Sequence, residues 1–138
     1  MSSLLTPSAS ALKLGMILCL NTGCIMLWIS SIFGVVSKSG RSLYSSTKFG
    51  LIGLTKSSAL DLAKNNILVN SVSPGVIKTK LTTSVLNRQQ LMKIKKEIPL
   101  NRFGDVQDVS NLVCFLCSEL NNYITGQNFI VDGGYTSK

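Results

Sequence analysis

Two apolar runs on either side of a long helix-forming stretch constrain the fold of this chain most. Residues 24–29 are apolar at every position, which is typical of a strand covered on both faces of a parallel sheet. Residues 45–63 contain no proline and favour a helix, and residues 67–73 are again β-branched and largely apolar. This order predicts a strand, a crossover helix and a second parallel strand.

The rest of the chain continues the alternation of helices and strands. Residues 80–98 are polar, basic and compatible with a helix, and a further helix is expected to start at Asp105 or Val106, with Asp105 as its N-cap. Residues 128–131 predict a third strand. Before the first apolar run, residues 3–18 show a helix-like pattern, and residues 21–23 have the composition of a turn. The sequence therefore predicts an α/β domain with about three strands and flanking helices.

Charge and composition restrict the partners. The chain carries 14 basic and 6 acidic residues, a net charge of +8, and no acid precedes Asp61. Such a charge is compatible with nucleic acid, an anionic membrane or an acidic protein. Because no basic run alternates with aromatic residues, we expect no nucleic-acid partner. The absence of histidine excludes histidine-based triads and histidine metal ligands.

The four cysteines leave a zinc site open in principle. Cys19 and Cys24 are followed much later by Cys114 and Cys117, which are two pairs with short spacings. However, the second pair lies in and beside the apolar run 112–116, where a thiol serves as a small core residue, and Cys24 opens a strand-like run. We expect no metal site and reduced thiols, as in a cytosolic protein.

The apolar segment 14–20 could mark a signal peptide or a membrane span. Only seven residues long, it is interrupted by Asn21, Thr22 and Gly23, whereas a spanning helix needs about 20 apolar residues. No small-residue cleavage site follows it at the usual place. The sequence therefore favours a soluble, cytoplasmic protein without a membrane partner.

Tyr44 and Lys48 are the first candidates for chemistry. Residues at i and i+4 share one face of a helix, so the Lys48 ammonium is expected close to the Tyr44 phenol, where it would favour the phenolate. A tyrosine in this setting is a plausible general acid or base. The alternative is an exposed tyrosine and lysine one turn apart. Ser30 and Ser31 end the first strand, at the edge of a parallel sheet where ligands bind.

These positions occur in an ordered set that resembles the short-chain dehydrogenase/reductase family. The resemblance extends from about residue 23 to residue 134 and is closest to the branch of 3-oxoacyl-carrier-protein reductases and sugar or steroid alcohol dehydrogenases. The spacing three residues before Gly34 selects Ser31 over Ser30. The matching positions are Ser31, Gly34, Tyr44-x-x-x-Lys48, Asn70, Pro74-Gly75, Thr79, Ile124-Thr125-Gly126 and Val131-Asp132-Gly133-Gly134.

The resemblance implies specific roles for three residues. Tyr44 would be the proton donor, Lys48 would make the phenol more acidic and hold the nicotinamide ribose, and Ser31 would orient the substrate carbonyl. The implied activity is the interconversion of a small-molecule carbonyl and an alcohol by hydride transfer with NAD or NADP. The helix over residues 44–64 would also pack across a subunit interface of a homo-oligomer, and residues 80–98 would form the lid over the substrate.

The loop after the second strand is the implied nicotinamide site. The residues assigned to cofactor binding, besides Tyr44 and Lys48, are Pro74, Gly75, Ile77 and Thr79; the Ile77 backbone and the Thr79 hydroxyl would contact the carboxamide. The alternative for this loop is a simple Pro-Gly turn.

Several family features are missing from the sequence. There is no G-x-G-x-x-G and no T-G-x-x-x-G-x-G motif to hold a pyrophosphate, and Leu4 stands near the position of the family's catalytic asparagine. We therefore predict the second half of a doubly wound, Rossmann-type parallel sheet without its N-terminal dinucleotide-binding half. Residues 1–138 would form one partial domain, with a remnant helix and turn over 1–22 and the catalytic half over 23–138.

Two functions lead at this point. The chain could represent the catalytic half of a reductase, or a catalytically silent fragment that is an interaction module or a non-functional truncation. Nucleic-acid binding through the basic residues 80–98 is a third, disfavoured alternative, and a steep salt dependence would be its signature. Since family topology places strand 24–29 beside a strand of the other half, we also expect this strand to be an open sheet edge that invites self-association.

Overall fold

A computed structural model describes residues 15–20 and 23–137 of the chain. Four strands and four α-helices make up this part, with short 3₁₀ turns at Ile32–Gly34 and Ala63–Asn65. The strands are β1 (Gly15–Leu20), β2 (Gly23–Ile29), β3 (Ile67–Pro74) and β4 (Asn128–Val131), and the helices are α1 (Ser42–Leu62), α2 (Lys80–Val85), α3 (Arg88–Glu97) and α4 (Val106–Leu116).

The strands form one sheet in the order β1-β2-β3-β4. β2, β3 and β4 are parallel to one another, whereas β1 runs antiparallel to β2. Helix α1 connects β2 to β3, and α2, α3 and α4 lie between β3 and β4 in the chain. The predicted α/β fold with three parallel strands and flanking helices is therefore confirmed.

A hydrophobic core forms where α4 packs on the sheet. Ile25 and Leu27 of β2 pack with Val72 of β3 and with Leu116 and Cys117 at the end of α4. Leu27 and Leu116 are almost fully buried, and truncation of such a leucine to alanine typically costs about 2–5 kcal/mol.

Helix α1 packs along β3 and has its own buried positions. It buries Ser45, Leu51, Thr55 and Ala59. The Thr55 hydroxyl donates to the Leu51 carbonyl at 2.7 Å, which satisfies a polar group that has no access to water. The 3₁₀ turn Ala63–Asn65 follows α1 and ends at Asn66, whose φ of 55° is the left-handed conformation that asparagine tolerates.

The N-terminal part of the sheet corrects two predictions. The helix-like pattern over residues 3–18 is wrong where the structure describes it, because Gly15–Leu20 form a strand. The predicted open edge of β2 is also wrong, since β1 pairs along it from Gly15 opposite Trp28 to Leu20 opposite Gly23. Backbone pairing along the otherwise unpaired edge of β2 favours a strand for residues 15–20 more strongly than their weak local pattern favours a helix. Residues 3–14 and the predicted turn at 21–22 lie outside the described residues.

The region predicted as a basic helical segment forms two helices. Thr79 caps α2 and Asn87 caps α3, with reciprocal hydrogen bonds between Asn87 and Gln90 at 3.0 and 2.9 Å. Arg88 and Lys93 are exposed on α3. In the part of the chain that the structure describes, no helix is long and apolar enough to cross a membrane.

An ion pair fixes the loop before α4. The Arg102 guanidinium donates to both carboxylate oxygens of Asp108, at 2.6 and 3.1 Å, and the Asp105 N–H donates to the same carboxylate at 2.8 Å. Asp105 occupies the predicted N-cap position. The hydrogen bonds from Arg102, and then the one from the Asp105 backbone, lower the pKa of Asp108 to about 2.

We predict that Asp108→Asn lowers the thermal unfolding midpoint at neutral pH and that the difference from the parent disappears as the pH approaches 2. The pKa of Asp108 is lower in the folded chain than its ordinary value near 4, so its contribution is present above pH 4 and is lost as the pH falls through 2. Circular dichroism melts between pH 2 and pH 7 measure the effect. Arg102→Met should give the same pH dependence, and a difference that is as large at pH 2 as at pH 7 would contradict the assignment.

Candidate active site

The candidate residues lie at the carboxyl ends of β2 and β3. Ile29 pairs with Val72 in the parallel register, and the Ser30 N–H extends this pairing with a hydrogen bond of 2.7 Å to the Val72 carbonyl. The segment after β2 contains Ser31, and the segment after β3 begins with Gly75. Since carboxyl ends of parallel strands share one edge of a sheet, both segments lie at the same edge.

Lys48 connects helix α1 to this edge. Its ammonium lies 5.8 Å from the centroid of the Tyr44 ring, one turn earlier in the helix, and donates a hydrogen bond of 3.0 Å to the Ile29 carbonyl. The structure therefore brings Tyr44 and Lys48 together, as their spacing predicted. Tyr44 remains largely accessible, with 43% of its surface exposed.

Ser31 belongs to the segment that contacts the tyrosine ring. Its side-chain oxygen accepts a hydrogen bond of 3.2 Å from the Phe33 N–H and caps the short turn Ile32–Gly34. The Phe33 ring meets the Tyr44 ring edge-on, with centroids 6.2 Å apart and an interplanar angle of 74°. Lys38 and Arg41 lie 5.6 and 5.8 Å from the Phe33 ring centroid, so cations surround the aromatic pair.

The Ser30 side chain contacts helix α1 and not the turn that Ser31 caps. Its hydroxyl donates to the Lys48 carbonyl at 2.9 Å, and only 4% of the residue is exposed. Gly34 completes this contact, because a Cβ atom there would lie 2.7 Å from both the Lys48 carbonyl oxygen and the Ser30 side-chain oxygen. A glycine is needed for this close approach of the loop to α1. Sequence reasoning identified Gly34 only as part of a pattern and did not identify its contact with Lys48.

The loop predicted to contact the nicotinamide is held by backbone hydrogen bonds. The Gly75 N–H donates to the Val131 carbonyl at 2.9 Å, and a Cβ atom on Gly75 would lie 2.8 Å from the Cα atom of Asp132. Further along, the Lys78 N–H donates to the Gly104 carbonyl at 2.7 Å, and the Gly104 N–H donates to Val76 at 3.0 Å. These hydrogen bonds hold the backbone of the loop in place, so the loop is more than a simple Pro-Gly turn.

Thr82 forms hydrogen bonds with both Thr79 and Ile77. The Thr79 side-chain oxygen accepts from the Thr82 N–H at 3.2 Å, and the Thr82 hydroxyl donates to the Ile77 carbonyl at 2.8 Å. Sequence reasoning missed Thr82. The signal that could have found it is a threonine three residues after an N-cap threonine.

Asp132 packs against Gly75 of this loop. From the sequence it was identified only as part of the motif over residues 131–134. Its carboxylate accepts from the Thr136 hydroxyl at 2.7 Å and from the N–H groups of Thr136 and Gly134, both at 2.8 Å. Burial by itself would raise the pKa of Asp132, but these hydrogen bonds outweigh it and hold the pKa below its ordinary value. A charged, fully bonded carboxylate thus fixes the backbone against which Gly75 packs.

Comparison with known protein families covers nearly the whole chain. Residues 5–136 match the family model described as Enoyl-(Acyl carrier protein) reductase. The 3-oxoacyl-[acyl-carrier-protein] reductase FabG of Aquifex aeolicus is 52% identical over 106 residues, which are 77% of this chain and 42% of that protein. The trans-4-hydroxycyclohexanecarboxylate dehydrogenase of Sinomonas cyclohexanicum is 43% identical over 79% of this chain and 40% of its own length.

Solved structures give the same result. A 4-hydroxyisoleucine dehydrogenase mutant complexed with NADH and succinate superposes with a TM-score of 0.78 at 40% identity, covering 83% of this chain and 47% of that one. ElxO with NADP bound superposes with a TM-score of 0.77 at 37% identity, with the same coverage. The chain thus spans less than half the length of these relatives. The match of sequence and structure over most of its residues shows that the chain belongs to the short-chain dehydrogenase/reductase family of oxidoreductases.

Proposed function

We propose that this chain supplies the proton-donating half of an NAD(P)-dependent oxidoreductase that interconverts a carbonyl and an alcohol. The observation that carries the proposal is the position of Lys48, whose ammonium lies 5.8 Å from the Tyr44 ring centroid and 3.0 Å from the carbonyl oxygen at the end of β2. A phenol, an ammonium and the Ser31 side chain at the ligand-binding edge of a parallel sheet suit proton transfer to a carbonyl oxygen.

Each of the three residues has one role in the proposed reaction. Tyr44 donates its phenolic proton to the carbonyl oxygen, and Ser31 donates a hydrogen bond to the same oxygen and so fixes its position. Lys48 stabilises the phenolate that remains, because a positive charge within a few ångströms favours the anionic form. The bound nicotinamide supplies the hydride to the carbon, and alcohol oxidation uses the same groups in reverse.

The residues present fit the nicotinamide end of NAD or NADP. An ammonium has three N–H donors, and Lys48 gives one of them to Ile29, so two N–H groups can serve ribose hydroxyls. The hydrogen-bonded loop that begins at Gly75 would hold its backbone in place beside the nicotinamide, and the Ile77 backbone and the Thr79 hydroxyl would contact the carboxamide. Relatives bound to NADH and to NADP support the cofactor class. We leave the choice between the two cofactors open.

The substrate and the assembly follow from the same proposal. The substrate is a small-molecule carbonyl or alcohol, and a cytoplasmic location without nucleic-acid or membrane partners fits the proposed chemistry. We infer a homo-oligomer formed through α1, the region predicted as the 44–64 helix. Apart from the adjacent backbone of α1, no atom of the described residues would lie within 4 Å of a Cβ added at Gly50 or Gly53, and Phe49 and Leu54 beside them are exposed.

A catalytically silent fragment is the second candidate function. The observation in its favour is that no glycine-rich pyrophosphate motif occurs anywhere in the sequence. In that case the chain would retain the fold of the catalytic half as an interaction module or a non-functional truncation. Activity measurements on a completed enzyme and cofactor binding by the chain alone separate the two candidates.

We predict that Tyr44→Phe abolishes most activity in a chimera in which residues 23–138 follow the nucleotide-binding half of the Aquifex reductase. Only the hydroxyl is removed, and proton transfer by a positioned side chain contributes about 10²–10⁴-fold to the rate. NADPH oxidation with a 3-oxoacyl thioester measures kcat/KM. The control Tyr123→Phe changes an exposed ring and should leave kcat/KM unchanged. Near-parental turnover by the Tyr44 variant would exclude the residue as the proton donor.

We further predict that the chain alone binds neither NADH nor NADPH with micromolar affinity. Its residues would meet only the nicotinamide end, whereas the pyrophosphate would find no glycine-rich turn at a helix N-terminus. Calorimetric titration of the purified chain with each nucleotide tests this. One-to-one micromolar binding by a monodisperse sample would show that the chain completes a cofactor site by itself.

A further inference from the structure

Residues 132–136, which we call the C-terminal turn, lie between the loop after β3 and the residues that follow α3. On the side of the loop, the Gly75 N–H donates to the Val131 carbonyl at 2.9 Å, next to the turn. A Cβ atom on Gly75 would lie 2.8 Å from the Cα atom of Asp132. The loop proposed to contact the nicotinamide therefore begins in direct contact with the C-terminal turn.

The other side of the C-terminal turn packs on residues 98–100, which we call the base of α3. The Leu100 N–H donates to the Gly133 carbonyl at 3.2 Å. A Cβ atom on Gly133 would lie 2.9 Å from a methyl carbon of Ile98, and one on Gly134 would lie 3.1 Å from the ring of Pro99. Both glycines have a positive φ, 65° and 87°, so backbone conformation and space both exclude a side chain there.

The Asp132 carboxylate determines the shape of the C-terminal turn. One of its oxygens accepts from the Gly134 N–H at 2.8 Å, and the other accepts from the Thr136 N–H at 2.8 Å and from the Thr136 hydroxyl at 2.7 Å. An ionised carboxylate is an acceptor at both oxygens. An asparagine amide cannot replace it, because its NH₂ group is a donor and would face another donor.

A side-chain contact extends the link into α3 itself. The Tyr135 hydroxyl donates to a carboxylate oxygen of Glu97, the last residue of α3, at 3.3 Å. Between the two sides lies a cavity of about 200 Å³, lined by Ile77 and Leu100 as well as by Asp132. The C-terminal turn thus bridges two segments that leave part of the space between them unfilled.

We propose that Asp132 is a positioning residue that sets the loop after β3 and the base of α3 relative to each other. This proposal rests on the proposed function and on the expected role of residues 80–98 as the lid over the substrate. The carboxylate acts through the C-terminal turn and contacts neither ligand. Since the turn holds both segments, a change confined to this carboxylate weakens the binding of cofactor and of substrate together.

Steady-state kinetics of the chimera with the Aquifex nucleotide-binding half test the proposal. In Asp132→Asn we expect the KM for NADPH and the KM for the 3-oxoacyl thioester each to rise about tenfold, with kcat within about twofold of the parent. The kcat is retained because Tyr44 and Lys48 stay in place. A variant that only folded less completely would show a lower kcat and two unchanged KM values.

Thr136 offers a matched pair of variants. Thr136→Val keeps the shape of the side chain but removes the hydroxyl that donates to Asp132, so both KM values should rise several-fold. Thr136→Ser keeps a hydroxyl and should retain the parental KM values. Glu119→Gln removes a carboxylate beside the cavity at the amino ends of β2 and β3, and should likewise retain them.

Hydrogen exchange of the 138-residue chain by mass spectrometry tests the link without cofactor or substrate. In Asp132→Asn, amide hydrogens of residues 75–78 and of residues 98–101 should both exchange faster than in the parent and in Glu119→Gln. Exchange in β2 should stay unchanged. This pattern separates a local link from a general loss of stability, which would accelerate exchange in β2 as well.

The alternative is that the loop after β3 is positioned by its hydrogen bonds to Gly104 and not by the C-terminal turn. A rise in the KM for NADPH alone, two parental KM values in Asp132→Asn, or faster exchange in only one of the two segments would each overturn the proposal. None of these results bears on the proposed function. An inactive parental chimera would count against that function, and hydrogen exchange would still decide whether Asp132 links the two segments.

Discussion

The contact between helix α1 and the segment after β2 determines the geometry of the whole site. Three interactions converge on Lys48: its ammonium donates to the Ile29 carbonyl, its own carbonyl accepts from the Ser30 hydroxyl, and Gly34 packs directly on its backbone. Together they fix the rotation and the height of α1 relative to the sheet edge. Since Tyr44 lies one turn before Lys48, the position of the phenol is set by the same contact.

The second part of the site depends on a comparable arrangement at β3. Gly75 packs on Asp132, and the hydrogen-bonded Asp132 carboxylate holds the chain after β4 in place. The loop after β3 is therefore supported by residues more than fifty positions away in the sequence. Polar side chains also connect β3 to β4. Ser71 and Ser73 both donate a hydrogen bond to the Asn128 side chain, at 2.9 and 2.8 Å. Burial of these groups is tolerated because each has a partner.

The sequence predicted those parts of the fold that are determined by local pattern. The all-apolar run of β2, the proline-free stretch of α1 and the N-cap at Asp105 are local signals, and the structure has a strand, a helix and a helix start at these places. The Tyr44–Lys48 proximity also follows from helix geometry alone. In contrast, β1 was missed because a short apolar run does not distinguish a strand from a helix. The contacts of Gly34 with Lys48 and of Gly75 with Asp132 were missed because they join residues that are far apart in the sequence.

We propose that Lys48 couples the Tyr44 phenol to the proposed cofactor-binding edge of the sheet. The most direct test replaces Lys48 with methionine in the chimera with the Aquifex nucleotide-binding half and measures kcat and the KM for NADPH separately. We expect kcat to fall by about 10²–10⁴-fold and the KM for NADPH to rise, because one ammonium would serve both the phenolate and the ribose. Lys56→Met, an exposed position two turns further along α1, should change neither. Parental kcat and KM in the Lys48 variant, with an intact circular dichroism spectrum, would exclude this role of Lys48.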